Sequence, residues 1–484
     1  MLFNSYLFIC LFLPLTIFLF YFSAKYNMRY SLIILFLASC IFYGWSNFYF
    51  IVILLSSIII NYIIAVYLNN ENYNNKRCIL ILGILFNISL LSYYKYDNFF
   101  INNFNQLFHI KFTLMNIVLP IGISFFTFTQ IAYLVDSYRG LVKKTDLLSY
   151  ALFVTYFPHL IAGPIIHHRE IIKQFESKYI YKFNYRNFLI GMTLFSIGLF
   201  KKNILAENLV EFVNPLFDMP SQIISFVDSW IGVLSYTLEL YFDFSGYSDM
   251  ALGLSLLFGI KLPINFYSPY KSKNIIEFWR RWNMSLSRFL RNYLYIPLGG
   301  NKYGKNRRYI NLMITMLLGG LWHGANWTFV IWGGLHGIYL CINHGFKELK
   351  KYFNIFQESG LLLNVLSQVI TFIAVVIAWV FFRSPELKVA FKIIHSMFSI
   401  PRLININQKA IALISFSLII IFVFPNSYQL LCRHKVGIEL NNISITKEAV
   451  LWQPTLLWNI YIAALFVLGA ISIATSNTFL YFRF

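Results

Sequence analysis

Residues 310–337 read INLMITMLLGGLWHGANWTFVIWGGLHG. Ile310 to Trp322 is an apolar run that ends on His323, and a second run, Trp327 to Leu335, carries His336. A helix that starts near Tyr309 at a membrane surface places His323 roughly 20 Å deep at ~1.5 Å per residue. The hydrocarbon core is ~30 Å thick, so that position lies past its midplane. An ionisable side chain at such depth is costly and marks a functional site by default. Histidine also exchanges a proton near neutral pH. On one straight helix His336 would lie ~20 Å from His323 and on a different face. The two converge only if the chain turns near Gly324-Ala325-Asn326, so His323 is the primary candidate and His336 a residue lining or gating its path. Gly319 and Gly320 allow another backbone or a ligand to approach closely.

The rest of the chain supports the membrane reading. Of 484 residues, 58% are hydrophobic and 12% charged, with a mean hydropathy of +0.63. A soluble domain carries roughly 25% charged residues. Continuous apolar runs recur from residue 6 to residue 473, without the short alternating segments of a barrel. We therefore expect an all-α polytopic membrane protein, one membrane-embedded unit over 1–484, with about ten to twelve transmembrane helices plus re-entrant and interfacial ones. The net charge of +20 sits in short loops, which points to cytoplasmic loops and anionic lipid rather than nucleic acid. Lys25 and Arg29 follow the first apolar run instead of preceding it. This order predicts an uncleaved first helix with its N-terminus outside. Lys76, Arg77, Arg139, Lys143 and Lys144 continue the alternation on the cytoplasmic side. The five cysteines are scattered and suggest neither disulfides nor a metal site.

Three interruptions stand out. Residues 148–166 contain Pro158, Gly163 and Pro164 between basic loops, a pattern of a re-entrant segment. His159 there reads as a kink residue, and His167, His168 and Arg169 as interfacial. Residues 222–260 hold Glu239, Asp243 and Asp249. Glu239 and Asp243 share a helix face and are candidates to orient an imidazole, relay protons or pair with Arg. Ser245-Gly246-Tyr247-Ser248 reads as a break beside these acids. Residues 261–309 carry eleven Lys or Arg against one acid, Glu277. Phe278, Trp282, Phe289 and Tyr293 recur at helical spacing, which predicts one basic amphipathic helix on the cytoplasmic face, followed by a histidine-bearing core over 310–343. No nucleotide-binding loop, dinucleotide fingerprint, nucleophile elbow or metal cluster occurs.

Several stretches together resemble the membrane-bound O-acyltransferases. They are Tyr241-Phe242-Asp243-Phe244-Ser245-Gly246-Tyr247-Ser248-Asp249, Asn265-Phe266-Tyr267-Ser268-Pro269-Tyr270, Phe278-Trp279-Arg280-Arg281-Trp282-Asn283-Met284-Ser285, Tyr295-Ile296-Pro297-Leu298-Gly299-Gly300-Asn301, and Gly320-Leu321-Trp322-His323-Gly324-Ala325-Asn326-Trp327. Trp379-Val380-Phe381-Phe382-Arg383 and the ending Phe479-Leu480-Tyr481-Phe482-Arg483-Phe484 add to the likeness. Within the family, the likeness is greatest to the membrane subunit of bacterial alginate O-acetyltransferases; other members serve peptidoglycan O-acetylation and teichoic-acid D-alanylation.

The resemblance implies helices around a thin central region with a funnel from each side. It implies an acyl thioester such as acetyl-CoA as donor, no tightly bound cofactor, and no metal. The family's active-site histidine falls on His323, as base or acyl carrier. Trp322, Asn326, His336, Asp243 and Glu239 are then candidates to line the path or support it. Arg280, Arg281, Trp282, Asn283 and Ser285 are candidates for donor binding or interfacial contact. An extracytoplasmic acetyltransferase or other polysaccharide-modifying protein, a polysaccharide acceptor and membrane lipid are the implied partners. The bacterial cytoplasmic membrane is the implied location. A proton-coupled transporter or flippase for a lipid-linked sugar is the rival reading, with the same buried His and acids as its relay.

Overall fold

The computed structural model describes residues 1–142, 145–218, 224–353, 360–400, 407–438 and 451–475. Lys143, Lys144 and the motif from Phe479 to Phe484 lie outside the described residues. The principal helices are α1 (Phe8–Ala24), α2 (Met28–Gly44), α3 (Phe48–Asn69), α4 (Lys76–Phe108), α5 (Ile123–Tyr138), α6 (Leu147–Thr155), α7 (Tyr185–Phe217), α8 (Phe226–Leu257), α9 (Ile275–Arg281), α10 (Met284–Leu290), α11 (Gly304–His323), α12 (Trp327–Phe353), α13 (Leu361–Arg383), α14 (Gln408–Phe422) and α15 (Leu456–Ile471). Among the described residues there is no strand, only an isolated bridge between Pro263 and Ile438. Helix starts follow from local chemistry: Asn27, Asn47, Asp146, Asn184, Ser225, Asn407 and Thr455 each accept a hydrogen bond from a first-turn N–H, which satisfies donors the helix itself leaves open.

The molecule is an all-α polytopic membrane protein. Helices α3, α4, α7 and α13 are long and apolar enough to cross a bilayer, and α1, α2, α14 and α15 are shorter apolar helices. Among the described residues, other apolar runs fold as short or polar-bearing helices. Helix α6 has nine residues, ~13 Å of rise, and is buried along nearly all of it. It ends where Pro158 opens the next short turn. Such a segment is tolerable at membrane depth only inside protein.

Helix α8 corrects one expectation. Ser245 to Ser248 do not break it; the helix runs unbroken for 32 residues, buried from Ser235 to Leu257. Gly246 instead lets α7 and α8 touch backbone to backbone. A Cβ on Gly246 would lie 2.7 Å from the Gly198 carbonyl oxygen, and one on Gly198 would lie 2.5 Å from that of Gly246. Seven residues along, Gly191 and Gly253 repeat the arrangement at 2.7 and 2.5 Å. Small residues at matched helix positions are how membrane helices approach closely without a hydrophobic driving force.

A π-turn interrupts both α4 (Ser92–Tyr96) and α7 (Lys201–Ala206), and a third follows α10 (Arg291–Tyr295). The first two of these wider turns present polar side chains inward, a frequent use of π-bulges.

Candidate active site

His323 is the last residue of α11. The chain turns at Gly324, Ala325 and Asn326, and α12 starts at Trp327. Gly320 and Gly333 set the crossing of the two helices. A Cβ on Gly320 would meet the Phe329 carbonyl oxygen at 2.3 Å, and one on Gly333 the Met316 carbonyl oxygen at 2.3 Å. At Gly324 a Cβ would meet the Phe329 ring at 2.0 Å. Asn326 braces the turn. Its Oδ1 accepts from the Thr328 N–H (3.1 Å), and its Nδ2 donates to the Pro385 carbonyl (2.7 Å), tying α12 to the segment after α13.

The turn brings the two histidines together, as the sequence required for them to share a path. The Trp332 ring contacts both, 5.0 Å from His323 and 4.9 Å from His336, centroid to centroid. His323 is 5% exposed and His336 fully buried. His323 also meets Trp322 at 4.9 Å and Phe382 at 5.2 Å. His336 lies parallel to Phe278 at 6.0 Å and edge-on to Trp279 at 5.1 Å. Trp279 Nε1–H donates to His336 Nδ1 at 3.3 Å. That bond fixes Nδ1 as the acceptor, so the neutral ring carries its proton on Nε2. His336 Nε2 has no hydrogen-bond partner among the described residues. Trp322 extends the aromatic wall by stacking on Phe128 at 5.0 Å, which stacks on Phe289 at 4.1 Å.

The basic segment is not one helix. Asn283, at φ +39°, separates α9 from α10, and the left-handed backbone there redirects the chain. Phe278 and Trp282 therefore face His336 and Trp379. Phe289 and Tyr293 face the other way, toward Phe128 and Asp136. Trp282, Asn283 and Ser285 are buried. Ser285 is a staple: its Oγ–H and N–H both donate to Asn265 Oδ1 (2.8 and 3.0 Å), and its Oγ accepts from the Ile165 N–H (2.8 Å). Arg281 pairs with Glu277 one turn earlier at 2.7 Å, and Arg280 is exposed.

The acids of α8 have partners that the sequence reading did not name. Asp243 pairs with Lys202, and Asp249 with Lys201 at 2.7 Å and with Ser427 at 2.6 Å. Glu239 is buried on the same helix. Lys201 and Lys202 sit within the apolar run 187–213, and that placement was the available signal. His159 Nε2 lies 2.9 Å from the Phe153 carbonyl, a bond within the kink. His167 and Tyr293 each bond Asp136 at 2.7 Å, and His168 Nδ1 lies 3.5 Å from it. Asp136, His167 and His168 thus form the donor set nearest to a cation site, with donor atoms within 4.8 Å of one another. They are engaged there in mutual hydrogen bonds that join α5 to the turn after α10. A cavity of about 460 Å³ lies elsewhere, lined by Tyr43, Trp45, Ile121 and Ile161 among others.

Lys95 was not a candidate at all. It follows the apolar run 78–94 and reads as its boundary. In the fold, its ammonium reaches the end of the His323 helix, 2.8 Å from the Trp322 carbonyl and 2.9 Å from that of His323.

Comparison with known proteins agrees with this geometry. Residues 80–382 match the model of the MBOAT, membrane-bound O-acyltransferase family. A peptidoglycan O-acetyltransferase of Helicobacter pylori is 43% identical over 82% of this chain and 80% of its own length. A probable alginate O-acetylase of Pseudomonas aeruginosa is 41% identical over 82% of this chain and 75% of its own. A teichoic acid D-alanyltransferase of Bacillus subtilis is 33% identical over 53% and 67%. The matched span takes in the π-turn of α4, the ion-paired α7 and α8, both histidines and the aromatic residues of α13, so the chain belongs to the membrane-bound O-acyltransferase family and is an integral-membrane acyltransferase.

Proposed function

We propose that this chain is an O-acetyltransferase of the bacterial cytoplasmic membrane. It passes an acetyl group from a cytoplasmic thioester, acetyl-CoA or a similar donor, to a hydroxyl of a cell-surface polysaccharide. The observation that carries this reading is His323 at the end of α11, in an aromatic enclosure shared with His336. Relatives named for peptidoglycan and alginate stand at 43% and 41% identity, so acetyl transfer is the common chemistry and the acceptor is a polysaccharide of one of these kinds.

His323 acts as general base. A ring nitrogen takes the proton of the acceptor hydroxyl as its oxygen attacks the thioester carbonyl. The C–O bond forms, the C–S bond breaks, and the leaving thiolate takes the proton from the imidazolium. His336, whose Nε2–H has no partner among the described residues, donates toward the carbonyl oxygen that gains charge in the transition state. Low polarity around both rings strengthens these interactions. Asp243, engaged by Lys202, holds α7 to α8. Exposed Arg280 and the lysines of 302–308 attract the anionic donor. The N-terminus faces outward, and an extracytoplasmic partner receives the acetyl group or presents the acceptor.

The deciding experiment supplies [¹⁴C]acetyl-CoA to the cytoplasmic side of inverted vesicles carrying the chain. Label in alkali-labile esters of envelope polysaccharide, lost in His323→Ala, is the expected result. Label-free polysaccharide alongside movement of a lipid-linked sugar would return the transporter reading.

A further inference from the structure

We propose that Lys95 is a positioning residue for His323: its ammonium holds the last turn of α11 and so aims the imidazole. The inference rests on His323 being the reacting group.

The last carbonyls of a helix have no partner within it. At the end of α11, Gly324 continues in extended backbone (φ −159°, ψ 149°), so no left-handed turn folds back to cap them. Side chains of α4 do so instead. Tyr96 Oη–H donates to the Leu321 carbonyl at 2.8 Å. Lys95 donates to the carbonyls of Trp322 and His323. Its third contact is Ser124 Oγ at 3.5 Å. An ammonium has three donors, and these three acceptors use them.

Charge matters as well as hydrogen bonding. The C-terminal end of a helix carries partial negative charge, and a cation there is stabilising. The two other lysines on a π-turn, Lys201 and Lys202, answer carboxylates. Among the described residues, no carboxylate lies within ion-pair distance of Lys95, so its closest acceptors are the two helix-end carbonyls. The Trp322 ring lies 5.9 Å from the ammonium, which couples the same cation to the aromatic wall. The π-turn at Ser92–Tyr96 is what lets consecutive residues, Lys95 and Tyr96, both reach one helix end. Fixing the peptide groups on either side of the His323 Cα sets the direction in which its side chain leaves the backbone.

The test uses full-length protein in lipid nanodiscs, with thiol release from acetyl-CoA as readout and His323→Ala in parallel. A displacement of ~1 Å at a reacting group costs about 10²-fold. Lys95→Met is expected to lower kcat by about that factor while KM for acetyl-CoA stays within about threefold. Lys95→Arg, which keeps the cation, is expected to recover about a tenth or more of the rate. If Lys95→Met does not accumulate in the membrane, Lys95→Gln, a donor without charge, serves in its place. An inactive His323→Ala beside a fully active Lys95→Met overturns the inference and leaves the active-site reading intact. An active His323→Ala overturns both. Equal loss in Lys95→Met and Lys95→Arg, tracking a fall in thermal stability, reduces Lys95 to a structural role and also overturns it.

Discussion

His323 and His336 both pack edge-on against one indole, that of Trp332. The Trp332 ring is nearly perpendicular to His323, at 85°, and tilted by 69° to His336. Edge-on aromatic contacts of this kind favour defined orientations. If His323 is the base, His323→Ala lowers acetyl transfer by about 10²–10⁴-fold with normal amounts of protein in the membrane. His336→Phe, which keeps a ring but no N–H, gives a smaller loss. The measurement is acetate released by mild alkali from envelope polysaccharide, normalised to protein.

Trp279→Phe removes the donor to His336 Nδ1 and leaves a buried acceptor without its partner. The expected cost is about 1–3 kcal/mol of stability, seen as a lower melting temperature in detergent by intrinsic fluorescence. An unchanged melting temperature would mean that the 3.3 Å contact contributes nothing.

The α7–α8 ion pairs predict strong non-additivity. Lys202→Met removes the ion-pair partner of buried Asp243, a change that costs about 3–5 kcal/mol. Lys202→Met combined with Asp243→Leu should be milder than Lys202→Met alone, because no uncompensated charge remains. Size-exclusion profiles of tagged protein, with heating before loading, rank the three proteins.

Glycine substitutions separate contact from conformation. Gly253→Leu forces apart the α7 and α8 backbones where a Cβ already meets the Gly191 oxygen at 2.5 Å; we expect loss of folded protein. Gly345→Ala lies within α12 with nothing within 4 Å of the added carbon. It should be neutral or stabilise by up to ~1 kcal/mol through helix propensity. Monodisperse yield after extraction is the readout.

Much of this organisation was legible because it depends on local pattern. Apolar runs gave helices, and the Gly324-Ala325-Asn326 interruption gave the turn that joins His323 to His336. Pattern failed where the meaning of a residue lies on another helix. Gly246 looked like a break but serves a neighbouring backbone. Periodicity through Phe278, Trp282, Phe289 and Tyr293 was real, yet one left-handed residue, Asn283, sends its halves to opposite walls. Lys95, Lys201 and Lys202 gave only the weak signal of a charge in or beside an apolar run. The His323 carbonyl lies 228 positions from Lys95, Asp249 lies 48 from Lys201 and Asp243 lies 41 from Lys202, and no single-sequence rule names them.

The paired lysines and aspartates also constrain how the protein is made. Neither α7 nor α8 can settle in lipid alone without stranding a full charge there, which costs several kcal/mol per ion. The two must leave the insertion machinery as a hairpin, with Lys201 and Lys202 already neutralised. Biogenesis is therefore sensitive to the spacing between these helices, so lengthening the segment that joins Phe217 to Phe226 should slow membrane integration before it affects the finished enzyme.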